Sequence, residues 1–248
     1  MVACTDSRTC AGKELKKLII IPAYNEERSI GALAAEIRKT APDYDMLVIN
    51  DGSADRTLSL CRSLGLPVLD LAVNLGIGGA MQAGFRYAAL SGYDVAVQVD
   101  GDGQHDPAFL RGICDTLLRE DADMVIGSRF LAREGYQSTK LRRGGIRYLS
   151  FLIRLLTGQR ITDPTSGFRM VRRSVIESFA EDYPQDYPEP ESVVRLLRQK
   201  RKVLEVPVRM RERKTGGSSI GPGASVYYPV KVTAAILLER MRHGWIPG

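Results

Sequence analysis

The sequence predicts an α/β protein built on a doubly wound, mostly parallel sheet that is flanked by helices and followed by a C-terminal extension. Two observations lead to this prediction. Short apolar runs typical of buried strands alternate with amphipathic helical segments through the first half of the 248-residue chain. Three of these runs end in polar turns, and a parallel sheet binds its ligands at the carboxyl ends of its strands.

The elements follow in a regular order. The predicted strands are 18–21, 46–49, 67–70, 95–99 and 124–126, and the predicted helices between them are 26–39, 55–64, 78–90 and 107–118. Beyond residue 128 the pattern becomes a helix over 145–156, a turn-rich segment over 162–170, a basic helix over 192–200 and a strand over 203–210 that Pro207 interrupts. A glycine- and serine-rich segment, 214–223, and an amphipathic helix, 230–241, end the chain.

This order gives three predicted parts: a flexible lead-in over 1–14, one domain over 15–213, and a mobile loop with an amphipathic helix over 214–248.

Apolar residues make up 44% of the chain and charged residues 26%, as in ordinary folded proteins. No apolar run approaches the roughly 20 residues of a membrane-spanning helix, and no secretory signal is recognisable. We therefore expect a cytoplasmic protein. The four cysteines form no Cys-x-x-Cys pair, which argues against zinc or redox chemistry.

The charge distribution separates two functions. The net charge is +6, and residues 129–160 are rich in arginine with Glu134 as their only acid, whereas carboxylates are concentrated in 94–123 and 177–191. Nucleic acid and an anionic membrane are both partners for such a basic segment. No aromatic platform or basic recognition helix indicates nucleic acid, so we expect none.

Asp100-Gly101-Asp102 is the segment that most directly indicates chemistry. Two carboxylates directly after a buried strand offer hard oxygen ligands to Mg²⁺ or Mn²⁺. Gly101 lets the backbone approach a ligand closely, and Gln104 adds a further oxygen. The alternative interpretation is a polar turn between strand and helix.

The turn over 50–53 and the turn over 22–26 both allow a binding and a structural interpretation. Asp51 is suited to accept hydrogen bonds from a nucleobase, with Tyr24 against the base and Glu26 at a ribose hydroxyl. Both segments are equally ordinary as turns and helix caps. The glycine-rich segment 74–79 lacks the dinucleotide fingerprint, but its N–H groups are suited to contact phosphates or base.

Together these segments resemble the family 2 glycosyltransferases of the GT-A fold, and within them the dolichyl- and polyprenyl-phosphate sugar synthases. The resemblance spans most of the chain. It is carried by the turns over 22–27, 50–53 and 100–107, by Gly127-Ser128-Arg129, by Ser166-Gly167-Phe168-Arg169 and by Glu205-Val206-Pro207.

The resemblance implies a role for each motif. A nucleotide-diphosphate sugar would be bound by Pro22, Ala23, Tyr24, Glu26, Asp51, Gly76, Asp100 and Gln104, and a Mg²⁺ or Mn²⁺ ion by Asp100, Asp102 and Gln104. Arg129, Ser166 and Arg213 would bind the acceptor, and Asp102, Asp163 and Arg129 would act in catalysis. A UDP-sugar is favoured as donor, with GDP-mannose as the alternative.

Two acceptors remain open. A polyprenyl phosphate is already anionic and needs arginines, whereas a hydroxyl of a polysaccharide or glycolipid needs a general base, for which Asp163 is the candidate. The basic segment favours the lipid phosphate. A departure from the family is Ser218-Ser219, where a basic residue is common; Lys214 is a candidate replacement.

The remaining expectations concern surfaces. The 145–156 helix has the composition of an interfacial helix at an anionic membrane; alternatively, its apolar stripe is core and its arginines are solvated. Segment 186–191 either faces the acceptor or caps the helix that follows. We expect peripheral association with the inner membrane face, and we hypothesise a small membrane-protein partner because the membrane tail of some relatives is absent. His105 is interpreted as a structural turn residue.

Overall fold

The structure, a computed structural model, describes residues 9–10, 13–132, 140–212 and 231–233. Its strands are β1 (Thr9–Cys10), β2 (Lys13–Glu14), β3 (Lys17–Ala23), β4 (Asp45–Asn50), β5 (Val68–Asp70), β6 (Val95–Gln98), β7 (Met124–Ser128), β8 (Arg169–Arg172) and β9 (Val203–Pro207). Its helices are α1 (Ile30–Thr40), α2 (Thr57–Ser63), α3 (Gly76–Leu90), α4 (Leu110–Arg119), α5 (Lys140–Thr157), α6 (Arg173–Glu181) and α7 (Pro188–Arg198), with a 3₁₀ turn at Pro107–Phe109.

A seven-stranded mixed sheet in the order β5-β4-β3-β6-β8-β7-β9 forms the centre of the molecule. Strands β5, β4, β3 and β6 are parallel, and β9 is parallel to β7. Only β8 within this described sheet runs antiparallel to its neighbours β6 and β7. The predicted doubly wound, mostly parallel sheet is therefore confirmed.

Both faces of the sheet are covered by helices. The residues from Leu18 to Ile21 on β3 are each at most 1% exposed, because successive side chains point to opposite faces that are both buried. Leu18 and Ile20 pack in the core under α3, α5, α6 and α7. Ile19 and Ile21 pack in the core under α1, α2 and α4. A continuous apolar run thus marks a central strand.

Strand β8 and helix α6 are absent from the sequence-based prediction. The sequence of β8 is Arg-Met-Val-Arg. Its two core residues, Met170 and Val171, lie between arginines and form too short an apolar run to be recognised as a strand. Both of them pair with neighbouring strands on either side. The antiparallel insertion is therefore decided by long-range pairing, which a four-residue pattern does not reveal.

Several predicted boundaries also needed correction. Helix α1 begins at Ile30, four residues after the predicted start, because Asn25 adopts a left-handed conformation (φ 57°) that prolongs the turn. Helix α7 begins at Pro188 and not at Ser192, since proline is tolerated in the first turn of a helix. Strand β9 ends at Pro207, short of the predicted residue 210.

The two ends of the chain are described only in part. Within the predicted flexible lead-in, Thr9–Cys10 and Lys13–Glu14 pair as an antiparallel ribbon. The predicted mobile loop over 214–223 lies outside the described residues, as does the predicted helix over 230–241 except for helical residues 231–233. The division of the chain into three parts stays a prediction. Among the residues that the structure describes, no helix combines the length and the apolar character that a membrane span requires.

Candidate functional site

The polar ends of β3, β4 and β6 meet at one edge of the sheet. The backbone N–H of Asp51 donates to the carbonyl of Ala23 over 2.9 Å, and the N–H of Gly101 donates to that of Pro22 over 3.3 Å. The segments after β4 and β6 therefore lie on either side of the end of β3, as the order of strands requires. The three motifs therefore lie together, as expected for polar turns at the carboxyl ends of parallel strands.

A hydrogen-bonded turn fixes the first motif. Asn25 accepts from the N–H of Ala54 over 2.8 Å through its side-chain oxygen, and its own N–H donates to Ser53 Oγ over 3.0 Å. The N–H of Glu26 donates to Thr57 Oγ1 over 2.8 Å. These contacts leave Tyr24 at the surface, where the residue is 51% exposed and its aromatic ring can lie against a flat ligand.

Asp51 joins the second motif to the glycine-rich segment. One of its carboxylate oxygens accepts from the N–H of Leu75 over 2.7 Å, and the residue is 4% exposed. Gly76 follows with φ 73° and begins α3. Asp51 therefore holds the loop before α3 with one oxygen, and a nucleobase would have to use the other.

Asp100 and Asp102 lie in a short loop after β6. Gln98 Nε2 donates to Asp100 Oδ1 over 2.8 Å, and the N–H of Gln104 donates to Asp102 Oδ1 over 2.9 Å. A Cβ on Gly101 would come within 3.0 Å of the carbonyl of Pro22. Glycine at this position therefore permits the close approach of the loop to β3.

The donor set fits a hard divalent cation that a substrate helps to bind. Over the described part of the chain, no group of three or more His, Cys, Asp or Glu side chains could hold a metal ion. Mg²⁺ is ordinarily bound by one or two carboxylates together with substrate phosphates and waters. Asp100 and Asp102 supply that number of carboxylates, so the residues present suit a metal shared with a diphosphate.

Gln104 and His105 support this loop. Gln104 Nε2 donates to the carbonyl of Arg211 over 3.3 Å, so one branch of its amide is used inside the protein. His105 is 3% exposed, stacks on Phe168 with ring centroids 4.8 Å apart, and accepts from the N–H of Asp100 over 3.0 Å. These contacts agree with the interpretation of His105 as a structural turn residue.

Arg129 and Asp163 form a buried ion pair. Arg129 Nε and Nη2 each donate to a different oxygen of Asp163 over 2.7 Å, and the N–H of Arg129 adds a third bond of 3.1 Å. Asp163 is 0% exposed and Arg129 is 8% exposed. Both oxygens of Asp163 are thereby directed at the guanidinium, an arrangement that suits a counter-ion better than a base for an incoming hydroxyl. The role of Asp163 as a base stays a prediction.

Ser166 and Arg169 have structural contacts. Ser166 is 1% exposed and donates its hydroxyl to the carbonyl of Gly127 over 2.7 Å, so no contact supports its predicted role in acceptor binding. Arg169, to which sequence reasoning gave no role, donates to the carbonyls of Pro164 and Ser166 and to Ser192 Oγ. It joins the 162–168 loop to α7. Arg213, Lys214, Ser218 and Ser219 lie outside the described residues.

Glu205 on β9 anchors the 162–168 loop through its carboxylate. Its carboxylate accepts from the N–H of Thr162 over 2.7 Å, from the hydroxyl of Thr162 over 2.9 Å and from the N–H of Asp163 over 2.8 Å. Burial raises the pKa of Glu205 above its ordinary value, although these hydrogen bonds oppose the rise. Glu205 therefore sets the position of Asp163, which in turn holds Arg129.

A basic cavity of about 640 Å³ is lined by Phe130 and Thr162, the residues next in the chain to Arg129 and Asp163. Its lining combines arginines with apolar side chains and comprises Phe130, Arg143, Ile146, Arg147, Ser150, Phe151, Arg154, Arg160 and Thr162. The Phe130 ring also lies against the guanidinium of Arg129, 5.5 Å from ring centroid to Cζ. The site prediction missed these cavity arginines. The signal for them was the helical spacing of Arg143, Arg147 and Arg154 along one side of α5.

The acidic segment 186–191 forms the N-terminus of α7. Glu189 and Glu191 lie in the first turn of the helix, and the N–H of Tyr187 donates to Glu191 Oε1 over 3.2 Å. The capping alternative is therefore supported.

Just before the acidic segment, Pro184 and Gln185 pack on α3 so closely that a Cβ on Gly78 would lie 2.4 Å from the carbonyl of Gln185.

Comparison with known proteins identifies the family. Residues 18–179 match the model of glycosyl transferase family 2. The chain belongs to this family and is a glycosyltransferase, and its fold is that of the GT-A enzymes, as the resemblance implied.

Curated relatives cover nearly the whole chain. An undecaprenyl-phosphate mannosyltransferase from Micrococcus luteus is 31% identical over 88% of this chain and 93% of its own length. A polyprenol monophosphomannose synthase from Mycolicibacterium smegmatis is 31% identical over 83% of this chain and 81% of its own. A UDP-N-acetylglucosamine–dolichyl-phosphate N-acetylglucosaminyltransferase from Methanococcus voltae is 27% identical over 90% of this chain and 95% of its own.

Solved structures share the fold. Glucosyl-3-phosphoglycerate synthase from Mycobacterium tuberculosis, in complex with Mn²⁺, uridine diphosphate and phosphoglyceric acid, has a TM-score of 0.70 at 18% identity, covering 91% of this chain and 78% of that one. A mannosyltransferase from Pyrobaculum calidifontis in complex with GDP-mannose and Mn²⁺ has a TM-score of 0.64 at 15% identity, covering 95% of this chain and 67% of that one.

Proposed function

We propose that this glycosyltransferase transfers a sugar from a nucleoside-diphosphate sugar to a polyprenyl phosphate by a single displacement that inverts the anomeric centre. The observation that carries the choice of acceptor is the basic cavity beside Arg129. Four arginines together with Phe130, Ile146 and Phe151 fit an anionic group attached to an apolar chain. The curated relatives, whose names refer to polyprenyl or dolichyl phosphates, support the same choice.

The acceptor phosphate needs no general base. An oxygen of the phosphate attacks the anomeric carbon, and the bond from that carbon to the diphosphate oxygen breaks and releases a nucleoside diphosphate. A phosphate monoester has its second pKa near 6, so the attacking oxygen carries its charge at neutral pH. Arginines bind such a group through charge-assisted hydrogen bonds, and Asp163 has the role of holding Arg129.

The donor lies along the edge formed by β3, β4 and β6 in this proposal. Asp51 and Tyr24 receive the nucleoside, and Asp100 and Asp102 bind Mg²⁺ or Mn²⁺ together with the diphosphate. When bound, the metal neutralises negative charge on the departing diphosphate. A UDP-sugar is the favoured donor and GDP-mannose the alternative; solved structures that share the fold contain uridine diphosphate or GDP-mannose together with Mn²⁺.

Helix α5 provides the contact with the membrane in this proposal. Its inner stripe is core, since Ile146, Leu149 and Ile153 are at most 4% exposed, so that part of the interfacial interpretation was wrong. An outer stripe takes its place, with Tyr148, Phe151 and Leu155 exposed by 44%, 64% and 70%. Arg147 and Arg154, which line the cavity, lie beside this stripe on the helix, and this composition suits an anionic lipid surface. Location at the inner membrane face follows from the same proposal, and a small membrane partner remains a hypothesis.

The first experiment measures release of nucleoside diphosphate from a panel of nucleotide sugars with Mg²⁺ or Mn²⁺, with and without a polyprenyl phosphate. Release that requires the lipid, and that Asp102→Ala abolishes, supports the proposal and identifies the donor. Release that requires a glycan and ignores the lipid refutes the acceptor, and it supports the alternative of transfer to a hydroxyl with Asp163 as base.

A further inference from the structure

Arg211 joins three separate parts of the molecule. It follows β9, and its guanidinium donates through Nη1 and Nη2 to the two oxygens of Glu36 on α1, each over 2.7 Å. Nη2 also lies 2.9 Å from Asp106 Oδ1, in the loop that begins at Asp100. Planar bidentate pairing of this kind fixes orientation as well as distance.

The main chain of the same residue holds the middle of that loop. The N–H of Arg211 donates to the carbonyl of Gln104 over 2.9 Å, and Gln104 Nε2 returns a bond of 3.3 Å to the carbonyl of Arg211. Gln104 in turn donates its N–H to Asp102 Oδ1 over 2.9 Å. Arg211 therefore contacts the loop at Gln104 and Asp106, the first of which contacts the Asp102 carboxylate directly.

The part of the loop around Asp102 requires such an anchor because the glycines on either side of Asp102 restrain the backbone weakly. Asp102 lies between Gly101 and Gly103, and Gly103 has φ 74° with open space where a Cβ would point, since no atom lies within 4 Å of that position. Glycine gives the backbone more freedom than any other residue. A metal ion, by contrast, requires carboxylates whose positions are fixed by the groups around them.

We propose that Arg211 is a positioning residue that, with Glu36, holds the loop of Asp100 and Asp102 in the conformation that binds the metal and the diphosphate. This inference rests on the proposed function, which assigns the metal to these two carboxylates. Arg211 acts through Gln104 and Asp106 and touches no reacting atom. Through Arg211, the segment after β9 is joined both to α1, at Glu36, and to the loop, at Asp106.

The test uses variants that remove the guanidinium and keep the main-chain bonds. Arg211→Met removes the guanidinium, Arg211→Lys keeps the charge without the bidentate geometry, and Glu36→Gln weakens the pair from the other side. Arg201→Met is the matched control, because Arg201 is 39% exposed against 35% for Arg211 and pairs with Asp123 at the opposite edge of the sheet.

Two quantities are measured on full-length, folded protein. The first is the dissociation constant of Mn²⁺ in the presence of nucleoside diphosphate, followed by electron paramagnetic resonance. Loss of a group that directly supports a metal ligand weakens metal binding by about 10- to 100-fold. The guanidinium acts one contact further away, so we expect a loss of up to about tenfold for Arg211→Met, a smaller one for Arg211→Lys and Glu36→Gln, and none for Arg201→Met. The second is hydrogen exchange of residues 100–106 in metal-free protein, which should accelerate in the same order.

Each outcome decides the proposal. Unchanged Mn²⁺ affinity and unchanged exchange in folded Arg211→Met overturn it, as does an equal effect in Arg201→Met. A wild-type protein that binds no Mn²⁺ refutes the proposed metal site instead, and exchange in the metal-free variants then decides whether Arg211 holds the loop. If Arg211→Met does not fold, Glu36→Gln provides the same two measurements.

Discussion

At the scale of single residues, the site depends on charges that are buried and paired. Asp163 has both oxygens on Arg129, and Glu205 holds the backbone that carries Asp163. Sequence motifs placed Arg129 and Asp163 near the reaction but gave no partner to either. The structure supplies the partners, and it thereby changes the chemistry that each side chain can perform.

Asp163→Asn should destabilise the fold. It removes the charge that compensates Arg129, and breaking a buried ion pair from one side costs about 3–5 kcal/mol. Urea unfolding of the two proteins measures this change. Asp121→Asn is the control, because Asp121 pairs with Arg172 at the surface with 86% of its side chain exposed, and an exposed ion pair contributes little to stability. Equal losses in the two variants would contradict the argument.

Glu205 should make stability depend on acidity in a defined direction. Its pKa in the folded protein is raised above the ordinary value of 4.5, so the folded state binds the proton more tightly than the unfolded chain does. Its contribution is complete below pH 4.5 and is lost as the pH rises from there through the raised pKa. Carbon-13 NMR of the Glu205 carboxyl, and the difference in pH-dependent stability between wild type and Glu205→Gln, measure this. A carboxyl that titrates below the ordinary pKa would show the sign to be wrong.

At the scale of elements, α5 and α3 each have a second set of residues, outside the apolar stripe that faces the core, which sequence periodicity does not indicate. Helix α5 packs one apolar stripe in the core and presents another at the surface, flanked by arginines. Helix α3 begins with glycines, and the segment before α7 packs directly on them. In α3, the close approach of residues 184–185 therefore decides that position 78 must be glycine.

Replacing Phe151 and Leu155 together by serine should weaken binding to vesicles that contain anionic lipid. Burying one such side chain contributes about 1.5–3 kcal/mol, so we expect a loss of about tenfold or more for each, with nucleotide binding unchanged. Vesicle sedimentation measures the effect. Leu90→Ser is the control, since Leu90 is 90% exposed at the end of α3. Equal binding by all three proteins would exclude this face of α5 as the membrane contact.

Gly78→Ala and Gly112→Ala should change stability in opposite directions. A Cβ at Gly78 would lie 2.4 Å from the carbonyl of Gln185, whereas a Cβ at Gly112 on α4 has no neighbour within 4 Å. Overpacking costs about 1–3 kcal/mol, and alanine is favoured over glycine inside a helix by about 0.5–1 kcal/mol. Thermal unfolding distinguishes the two variants, and a stabilising Gly78→Ala would disprove the close packing of residues 184–185 on α3.

At the scale of the whole molecule, ligand binding and folding are linked through the edge of the sheet. The donor motifs come from three strands that are distant in the chain, so a ligand across them holds the sheet together. A ligand that binds only the folded state at about 100 times its dissociation constant adds about 2.7 kcal/mol to the free energy of unfolding. We therefore expect nucleoside diphosphate with Mn²⁺ to raise the melting temperature of wild type and to leave that of Asp102→Ala nearly unchanged. A shift in melting temperature of equal size in both proteins would show that nucleotide binding does not depend on Asp102.

Much of the fold was predictable because the apolar pattern within each segment is enough to indicate a strand or a helix. Residues 18–21 are apolar at every position, as a strand buried on both faces requires, and the alternation with helices indicated a parallel sheet. The position of Asp100 at the end of such a strand then indicated a site. Strand β8 was not predictable, since its two apolar residues are buried only through pairing with β6 and β7.

The sequence by itself determined the family, the parallel half of the sheet and the carboxylates at its edge, because each is encoded by neighbouring residues. Only the tertiary structure decided what those residues contact. It paired Asp163 with Arg129, assembled the arginines of α5 with Arg160 into a cavity, and brought Arg211 onto Glu36 across 175 positions of chain. Such contacts depend on how the elements pack against one another, and the spacing of residues within one element does not specify which distant element they meet.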